Sequence, residues 1–293
     1  MMNKLLIIFG ILSAVPALSQ EQEWEWEEET AEEVQLFHDT RVINGHSVET
    51  LEKRTLDFRI THRFGDAGTG ASGRTLFGID QAADIRIAFE YGILDQLTVG
   101  LGRSKGAAPY TEYWDAFAKY RIMRQGTKFP ITMTALTGVF FTSMLPSSDV
   151  SSPVAFQKDA HRFSYVTQLL IGRGFADRVS LQLAPSWVHR NFVAAEDQND
   201  VFSLGGVLKV RVYKKISLVA EYYLNFGDRS SGPLEYRDPL GFGIEFKTFA
   251  HAFQLCFMNS AGLGEGQFIP YTSSNWLDGQ FRFGFTISRN FSL

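Results

Sequence analysis

The sequence has little of what most soluble enzymes and nucleic-acid-binding proteins contain. Its single cysteine, Cys256, excludes a disulfide framework within the chain. After residue 19 there is no run of about 18 apolar residues, so a membrane-spanning helix is excluded and any crossing of a bilayer must use strands. At a net charge of -4 the chain shows no basic patch, and we expect no nucleic-acid partner.

Potential metal ligands are also few. His38, His46, His161 and His251 show no metal-ligand spacing with one another or with Cys256. We therefore expect neither a metal nor a cofactor.

What is present begins with an export signal. Residues 1–19 contain an early Lys4, the apolar stretch LLIIFGILSAVPAL, and the small residues Ala17 and Ser19 two positions apart. This arrangement predicts a signal peptide that is cleaved before Gln20.

Residues 54–293 contain about twelve segments of roughly ten residues in which apolar and polar positions alternate. In the first, TLDFRITHRF, Phe58 and Ile60 share one face, whereas Asp57 and Arg59 share the other. Burying such charges in a soluble core is costly, but a water-filled lumen accepts them. The last segment, GQFRFGFTISRNFSL (residues 279–293), has the same pattern.

The gaps between these segments alternate in length. Long gaps lie near 65–82, 103–111, 145–161, 192–200, 227–238 and 260–275, and short ones lie near 94–96, 124–128, 175–178, 213–215 and 249–251. Outer-membrane barrels have short periplasmic turns and longer outer loops. The two patterns together predict an all-β fold, a transmembrane antiparallel up-and-down β-barrel of about 12 strands in the cell outer membrane.

Residues 20–53 have a different character. The first dozen are strongly acidic, and further on Asn44-Gly45 lies between short apolar stretches, which predicts a hairpin. The segment begins on the periplasmic side. Two interpretations stay open: a plug that folds into the barrel mouth, where its carboxylates meet lumen arginines, or a solvated leader.

The inward faces of the predicted strands carry charges of both signs, with a basic excess. These candidate lumen residues are Asp57, Arg59, Arg63, Asp84, Arg86, Glu90, Asp115, Lys119, Arg121, Lys209, Arg211, Glu221, Glu245, Lys247, Asp278 and Arg282. They could form a selectivity lining that favours anionic solutes, or a salt-bridge network that fills and stiffens a narrow bore.

An enzymatic interpretation is weaker. Some twelve-stranded barrels hydrolyse lipids with Ser and His on the lipid-facing wall, and the candidates here are His62 and His189, with Ser186 near the second. Ser186 and His189 differ in parity, so on a regular strand they point to opposite faces and cannot act as nucleophile and base. Pro185 could break that parity. We expect no catalytic residues.

The stretches FHDTRVINGHSVETL, TLDFRITHRFGD, LFGIDQAADIRIAFEYGI and LTVGLGR resemble an uncharacterised family of Gram-negative outer-membrane β-barrels, a domain of unknown function. The resemblance implies export to the outer membrane and supplies no substrate or active site.

The leading hypothesis is a narrow or gated channel, or an uptake component, for small solutes. The rival is a non-conducting structural or partner-binding barrel, and lipid hydrolysis comes third. Expected partners are outer-membrane lipid and lipopolysaccharide, the barrel-insertion machinery and a small solute.

Overall fold

A computed structural model describes residues 34–69, 73–227, 235–248 and 251–293. The predicted signal peptide and the acidic start of the 20–53 segment lie outside the described residues. Twelve strands close into an antiparallel barrel in which neighbours in sequence pair with each other and the last strand pairs with the first. The predicted up-and-down barrel is confirmed.

A two-stranded hairpin precedes the barrel, formed by β1 (Arg41–Val42) and β2 (Gly45–His46). The barrel strands are β3 (Thr55–Asp66), β4 (Ala82–Leu94), β5 (Leu97–Lys105), β6 (Glu112–Met123), β7 (Thr132–Thr142), β8 (Phe163–Phe175), β9 (Val179–Arg190), β10 (Asp200–Tyr213), β11 (Ile216–Asn225), β12 (Leu240–Lys247), β13 (His251–Met258) and β14 (Arg282–Ser292). Helix α1 (Glu265–Tyr271) and two 3-10 turns, Asp159–Arg162 and Trp276–Asp278, lie in the connections. In the described parts of the chain, no helix is long and apolar enough to cross a membrane.

The alternation in the sequence sorts side chains between two surfaces. Arg59 and Arg63 of β3 are buried within the barrel, whereas Phe89 of β4 and Leu101 of β5 are 49% and 53% exposed on the outside. A wall of exposed apolar side chains around a charged interior is stable only when the wall faces lipid.

The connections differ between the two ends of the barrel. One end has the short connections 95–96, 124–131, 176–178, 214–215 and 248–250, and the other has the connections 67–81, 106–111, 143–162, 191–199, 226–239 and 259–281. The β5–β6 connection is shorter than predicted and the β6–β7 connection is longer. The two ends of the described barrel meet at the short-turn end, where Leu293 N donates to Arg54 O at 2.9 Å. We take that end as periplasmic.

Three details differ from what the sequence favours. A proline inside a strand favours a bulge or an early strand end, but Pro185 causes neither, because it opposes Leu204 of β10 in unbroken register; beside it, two pairs are missing from the ladder to β8. Aromatic residues near strand ends favour an interfacial girdle, but Tyr110 and Tyr113 are both buried inside the barrel. The 259–281 connection is not an exposed loop over its whole length, since all seven residues of α1 are buried.

Candidate functional site: the filled bore

Residues 34–53, which we call the plug, lie inside the barrel. They enter at the short-turn end, where Val34 N donates to Gln125 O at 3.3 Å, and leave at the same end, where Lys53 N donates to the Asp95 carboxylate at 2.9 Å. Nearly all residues between these points are buried. For the described part of the segment, the structure therefore shows the plug arrangement and not a solvated leader.

The hairpin at the centre of the plug turns at Ile43 and Asn44, one residue earlier than predicted. Arg41 pairs with His46 and Val42 with Gly45. Gly45 is needed for close approach to the wall and not for the turn, because a Cβ there would lie 2.1 Å from the hydroxyl of Tyr223.

The hairpin tip is held by one wall carboxylate and one wall guanidinium. Glu221 of β11 accepts hydrogen bonds from the side-chain nitrogen Nδ2 of Asn44 at 3.0 Å and from the backbone N of Gly45 at 2.8 Å. Arg63 of β3 donates to Ile43 O at 2.8 Å and to Asn44 Oδ1 at 3.0 Å. A wall acid and a wall base thus bind opposite polar groups of the same turn.

A second group of contacts holds the start of the hairpin. Arg59 donates to both carboxylate oxygens of Asp39, at 2.9 and 2.6 Å. This bidentate geometry makes arginine–carboxylate pairs strong. Thr40 donates to Glu90 at 2.7 Å, and Lys119 donates to the carbonyls of Thr40 and Ser47 at 3.2 Å. Wall charges on three strands are therefore bound to the plug.

The plug also has an apolar side. Leu36, Phe37, Val42, Ile43 and Val48 pack with small and medium-sized wall residues, namely Leu170, Ala184, Val207, Val219, Cys256 and Met258. Wall glycines make room for them. A Cβ at Gly172 would lie 2.8 Å from Leu36, and one at Gly241 would lie 2.9 Å from Ile43.

The long-loop half of the bore is filled by a different layer, which we call the outer layer. It consists of α1 and the wall aromatics around it. Phe268 and Ile269 of α1 pack in one buried cluster with Tyr113, Phe140 and Tyr223. Polar contacts fix the edges: Asn225 donates to Ile269 O at 3.0 Å, and Gln267 donates to Ala107 O at 2.6 Å.

The plug and the outer layer meet at Glu265. Its carboxylate accepts from Arg41 Nη1 at 3.1 Å and lies 3.8 Å from His46 Nε2. Burial raises the pKa of Glu265 above its usual range, against the opposing effect of Arg41. Burial and the Arg41 guanidinium hold the pKa of His46 well below its usual value, so the ring is neutral and its Nε2 accepts from Arg41 Nη2 at 2.6 Å.

A cavity of about 10 Å³ lies beside this junction, among Arg41, Arg59, Arg86 and Gln254. That volume is about enough for one water molecule. A solute could pass this level of the described bore only if the plug or the outer layer moved.

The predicted lumen residues fall into three groups. Twelve are buried inside the barrel: Asp57, Arg59, Arg63, Asp84, Arg86, Glu90, Asp115, Lys119, Arg121, Lys209, Glu221 and Glu245. Arg211, Lys247 and Arg282 are partly buried at the ends of strands. The assignment of Asp278 is wrong, because it lies exposed in the 3-10 turn before β14 begins and bonds to Asn275.

The wall also contains ion pairs that do not involve the plug. Arg86 binds both oxygens of Asp115, at 2.9 and 2.6 Å, and Arg59 contacts Asp57 at 2.9 Å. The salt-bridge network is thus present: some charges pair within the wall, others bind the plug, and Arg59 does both. The selectivity lining stays a prediction.

Sequence reasoning missed two charged residues of the bore. Arg190 on β9 bonds to Asp197 at 2.8 Å, and its guanidinium lies 4.7 Å from the ring centroid of Tyr271. Its inward parity was visible in the sequence. Glu265 lies in the long connection AGLGEGQFIPY, whose low charge and high apolar content were the available signal that this connection is buried.

Ser186 and His189 are not brought together. Ser186 is buried and bonds to Gln168 at 2.8 Å inside the barrel. His189 is partly exposed on the outer side, where its Nδ1 lies 2.8 Å from Asp200. Because β9 stays regular at Pro185, the opposite parity of the two residues is kept.

The family model described as "Membrane bound beta barrel domain" (DUF5777) matches residues 37–291. The chain belongs to this family. The match begins inside the plug and includes nearly the whole barrel. The predicted family and location are confirmed: this is a membrane-bound barrel with an even number of strands and an apolar outer wall, which places it in the outer membrane.

Several solved structures resemble the chain at low sequence identity. The KdgM porin is 10% identical, with 81% of this chain and 99% of that chain covered at a TM-score of 0.50. The NanC porin is 11% identical, with 81% and 100% covered at 0.47, and an outer membrane channel from Pseudomonas putida F1 is 11% identical, with 85% and 100% covered at 0.49. The KdgM likeness supports the fold alone. No curated protein matches the chain.

Proposed function

We propose that this protein is a gated outer-membrane channel for small polar solutes, and that the plug is its gate. The observation that carries the proposal is the set of wall charges that bind the plug. Arg63 and Lys119 donate to carbonyl groups of the plug backbone, and Glu221 accepts from a plug backbone N–H. Arg63 and Glu221 also bind the side chain of Asn44.

Polar contacts of this kind suit a movable element. When the plug leaves, water replaces it at each wall charge, and the net cost of exchanging one such hydrogen bond is only about 0.5–3 kcal/mol. The vacated wall is then a wet, charged surface. Basic residues outnumber acidic ones among the inward positions, which favours small anionic solutes.

The outer layer lies in series with the plug. Its apolar and aromatic contacts lose their stabilisation when wetted, as do those of the plug. Because fewer of its contacts with the wall are polar, we expect it to be the stiffer of the two barriers. We therefore expect removal of the plug to open the bore partly, and removal of both layers to open it fully.

Planar-bilayer conductance tests this order. Three proteins are compared: the mature chain, a chain lacking residues 20–50, and a chain that also has residues 262–273 replaced by a short Gly-Ser linker. We expect a closed or rarely open protein, then small steps, then the largest steps. Equal conductance in all three would refute the plug as the gate.

A reversible tether provides a matched control. Asp39 and Ser288 are in contact at 3.0 Å between Oδ2 and Oγ. Cysteines at both positions, in a Cys256→Ser background, should form a disulfide that keeps the plug seated. Channel openings should appear only after the disulfide is reduced. The oxidised and reduced proteins both lack the Asp39 carboxylate, so its loss cannot cause a difference between them.

Selectivity is tested in the chain without its plug. Arg59→Glu should shift ion preference toward cations, because the guanidinium then faces the water-filled path. Arg173→Glu is the control, since Arg173 lies outside the barrel near the short-turn end. No shift for Arg59→Glu in a conducting protein would remove this residue from the path.

The second candidate is a non-conducting structural barrel. The outer layer favours it, because the cluster around Phe268 is packed like a protein core. Silence of all three proteins in the bilayer, with folding shown by circular dichroism, would support this candidate against the channel.

A further inference from the structure

The outer wall of the barrel has a groove where β4, β5 and β6 lie side by side. Ile85, Ile87 and Phe89 of β4, Leu101 of β5 and Trp114 of β6 line it, and its volume is about 350 Å³. Volumes of about 300–1,000 Å³ are typical of clefts that bind small ligands. The groove faces lipid, so its natural occupant is a hydrocarbon chain.

One end of the groove is basic. Arg103 and Lys105 of β5 line it and lie opposite Ile87 and Ile85 in the β4 register. The Arg103 guanidinium lies 4.6 Å from the ring centroid of Trp114, which fixes its direction. Because β5 runs from the short-turn end to the long-loop end, both cations lie at the outer-leaflet level.

Nearby groups only partly neutralise these cations. Glu112 lies 3.8 Å from Arg103 and 3.7 Å from Lys105, longer than a good hydrogen bond in both cases. Ser143 lies 3.5 Å from Arg103 and donates to Glu112 at 3.0 Å. Two cations share one carboxylate, so the cluster keeps a positive charge and free donors.

This placement is distinctive within the described barrel. On the lipid-facing positions of the described strands, Lys and Arg occur in the long-loop half only on β5. Arg173 of β8 and Arg289 of β14 also face outward, but they lie near the short-turn end and stack on Phe175 and Phe291.

We propose that this groove binds an anionic, phosphorylated glycolipid of the outer leaflet, with one acyl chain along the groove and a phosphate on Arg103 and Lys105. The apolar lining matches the chain, and the basic end matches the headgroup at the depth where an outer-leaflet phosphate lies. Arginine binds phosphate in a bidentate geometry, which the partly exposed guanidinium of Arg103 allows. This site is independent of whether the bore conducts.

Native mass spectrometry of the full mature chain in detergent tests the site. Lipid A is titrated as the probe, with phosphatidylglycerol at equal charge and dephosphorylated lipid A as comparison lipids. We expect one lipid A to bind in preference to both. Equal binding of phosphatidylglycerol, or equal binding after dephosphorylation, would overturn the proposal.

Substitutions locate the binding. Arg103→Gln with Lys105→Gln should weaken lipid A binding about tenfold or more, since two charge-assisted contacts are lost. Arg173→Gln with Arg289→Gln is the matched control and should change nothing. Leu101→Trp fills the groove and should also weaken binding while both cations remain. Unchanged binding in both groove variants would place the lipid elsewhere and refute the site.

Discussion

The two layers that fill the bore differ in what holds them in place. The plug is bound mainly through charges and hydrogen bonds from the wall, as at Asp39, Asn44 and Gly45, and on one side also through apolar contacts. The outer layer is bound through buried rings and aliphatic groups, as at Phe268. Polar contacts exchange with water at modest net cost, whereas apolar contacts lose their whole benefit on wetting. The many polar contacts of the plug thus make it the more easily released of the two layers, although its apolar side also resists wetting.

The largest expected effect comes from breaking the outer layer. Phe268 is 1% exposed and packs edge-on to Tyr223 with ring centroids 5.1 Å apart. Phe268→Ala should lower the free energy of local opening of α1 by about 3–5 kcal/mol. Hydrogen exchange of the amides of residues 265–271 measures this.

Leu277→Ala is the control for that measurement, because Leu277 lies in the same connection and is 94% exposed. Equal acceleration of exchange in both variants would mean that α1 is held by the loop as a whole and not by its buried ring.

The next effect concerns the fit of the plug. A Cβ at Gly45 would lie 2.1 Å from the Tyr223 hydroxyl, and Tyr223 is fully buried. Gly45→Ala should therefore raise the free energy of seating by about 1–3 kcal/mol. Protease sensitivity of the plug measures it. Tyr223→Phe in the same chain should restore most of the seating, since it removes the hydroxyl and leaves the ring carbon Cζ at 3.1 Å, a contact that a small shift relieves.

Gly126→Ala is the control, because nothing lies within 4 Å of a Cβ there. If Gly45→Ala leaves the plug as resistant to protease as the parent, the tight contact at the hairpin tip is not what seats it.

A smaller effect is expected at the tip itself. Asn44→Ala removes one hydrogen bond to Glu221 and one from Arg63, both at 3.0 Å. The water-sized cavity that Asn44 lines gives room for a water to replace the lost partner, so the loss in seating should be about 1–2 kcal/mol. Asn199→Ala, in the outer connection before β10, is the control. If Asn44→Ala costs as much free energy as Phe268→Ala, the plug is no easier to release than the outer layer.

The strands could be predicted because each must satisfy two solvents at once. Lipid outside and a polar interior force a period of two, so the inward parity of residues such as Arg59 and Lys119 was readable along one strand. Asp278 was misplaced because the same parity was extended past the true start of β14 at Arg282.

The filling of the bore could not be predicted in the same way. Which wall residues meet the plug depends on the stagger of strands that are far apart in sequence, as with Asn44 and Glu221. The inward fold of the 259–281 connection depends on space left by wall glycines and by Gly264 and Gly266, where a Cβ would lie 2.8 and 2.6 Å from Phe140 and Tyr113. Such close approaches leave no periodic pattern.

Acidification should weaken the seating of the plug and not the packing of the outer layer. Burial, together with Lys209 and Lys247, lowers the pKa of His38 from 6.5 to about 4, although Glu245 lies 3.4 Å away. The pKa of His46 is lowered as well, chiefly by burial. A histidine whose pKa is lowered in the seated state stabilises the seated plug fully above about pH 6.5. That stabilisation is lost as the pH falls towards the seated-state pKa, by up to about 1.4 kcal/mol per pH unit for each ring.

Asp39 should not contribute to this change, because Arg59 keeps its pKa below the usual range despite burial. Channel openings should therefore become more frequent from pH 7 to pH 5, and His38→Asn with His46→Asn should flatten the response. His161→Asn, in the 143–162 connection, should leave it unchanged. If the pH response survives the loss of both plug histidines, it must come from the carboxylates of the wall. Acid would then release the plug by changing the charge of the barrel and not that of the plug.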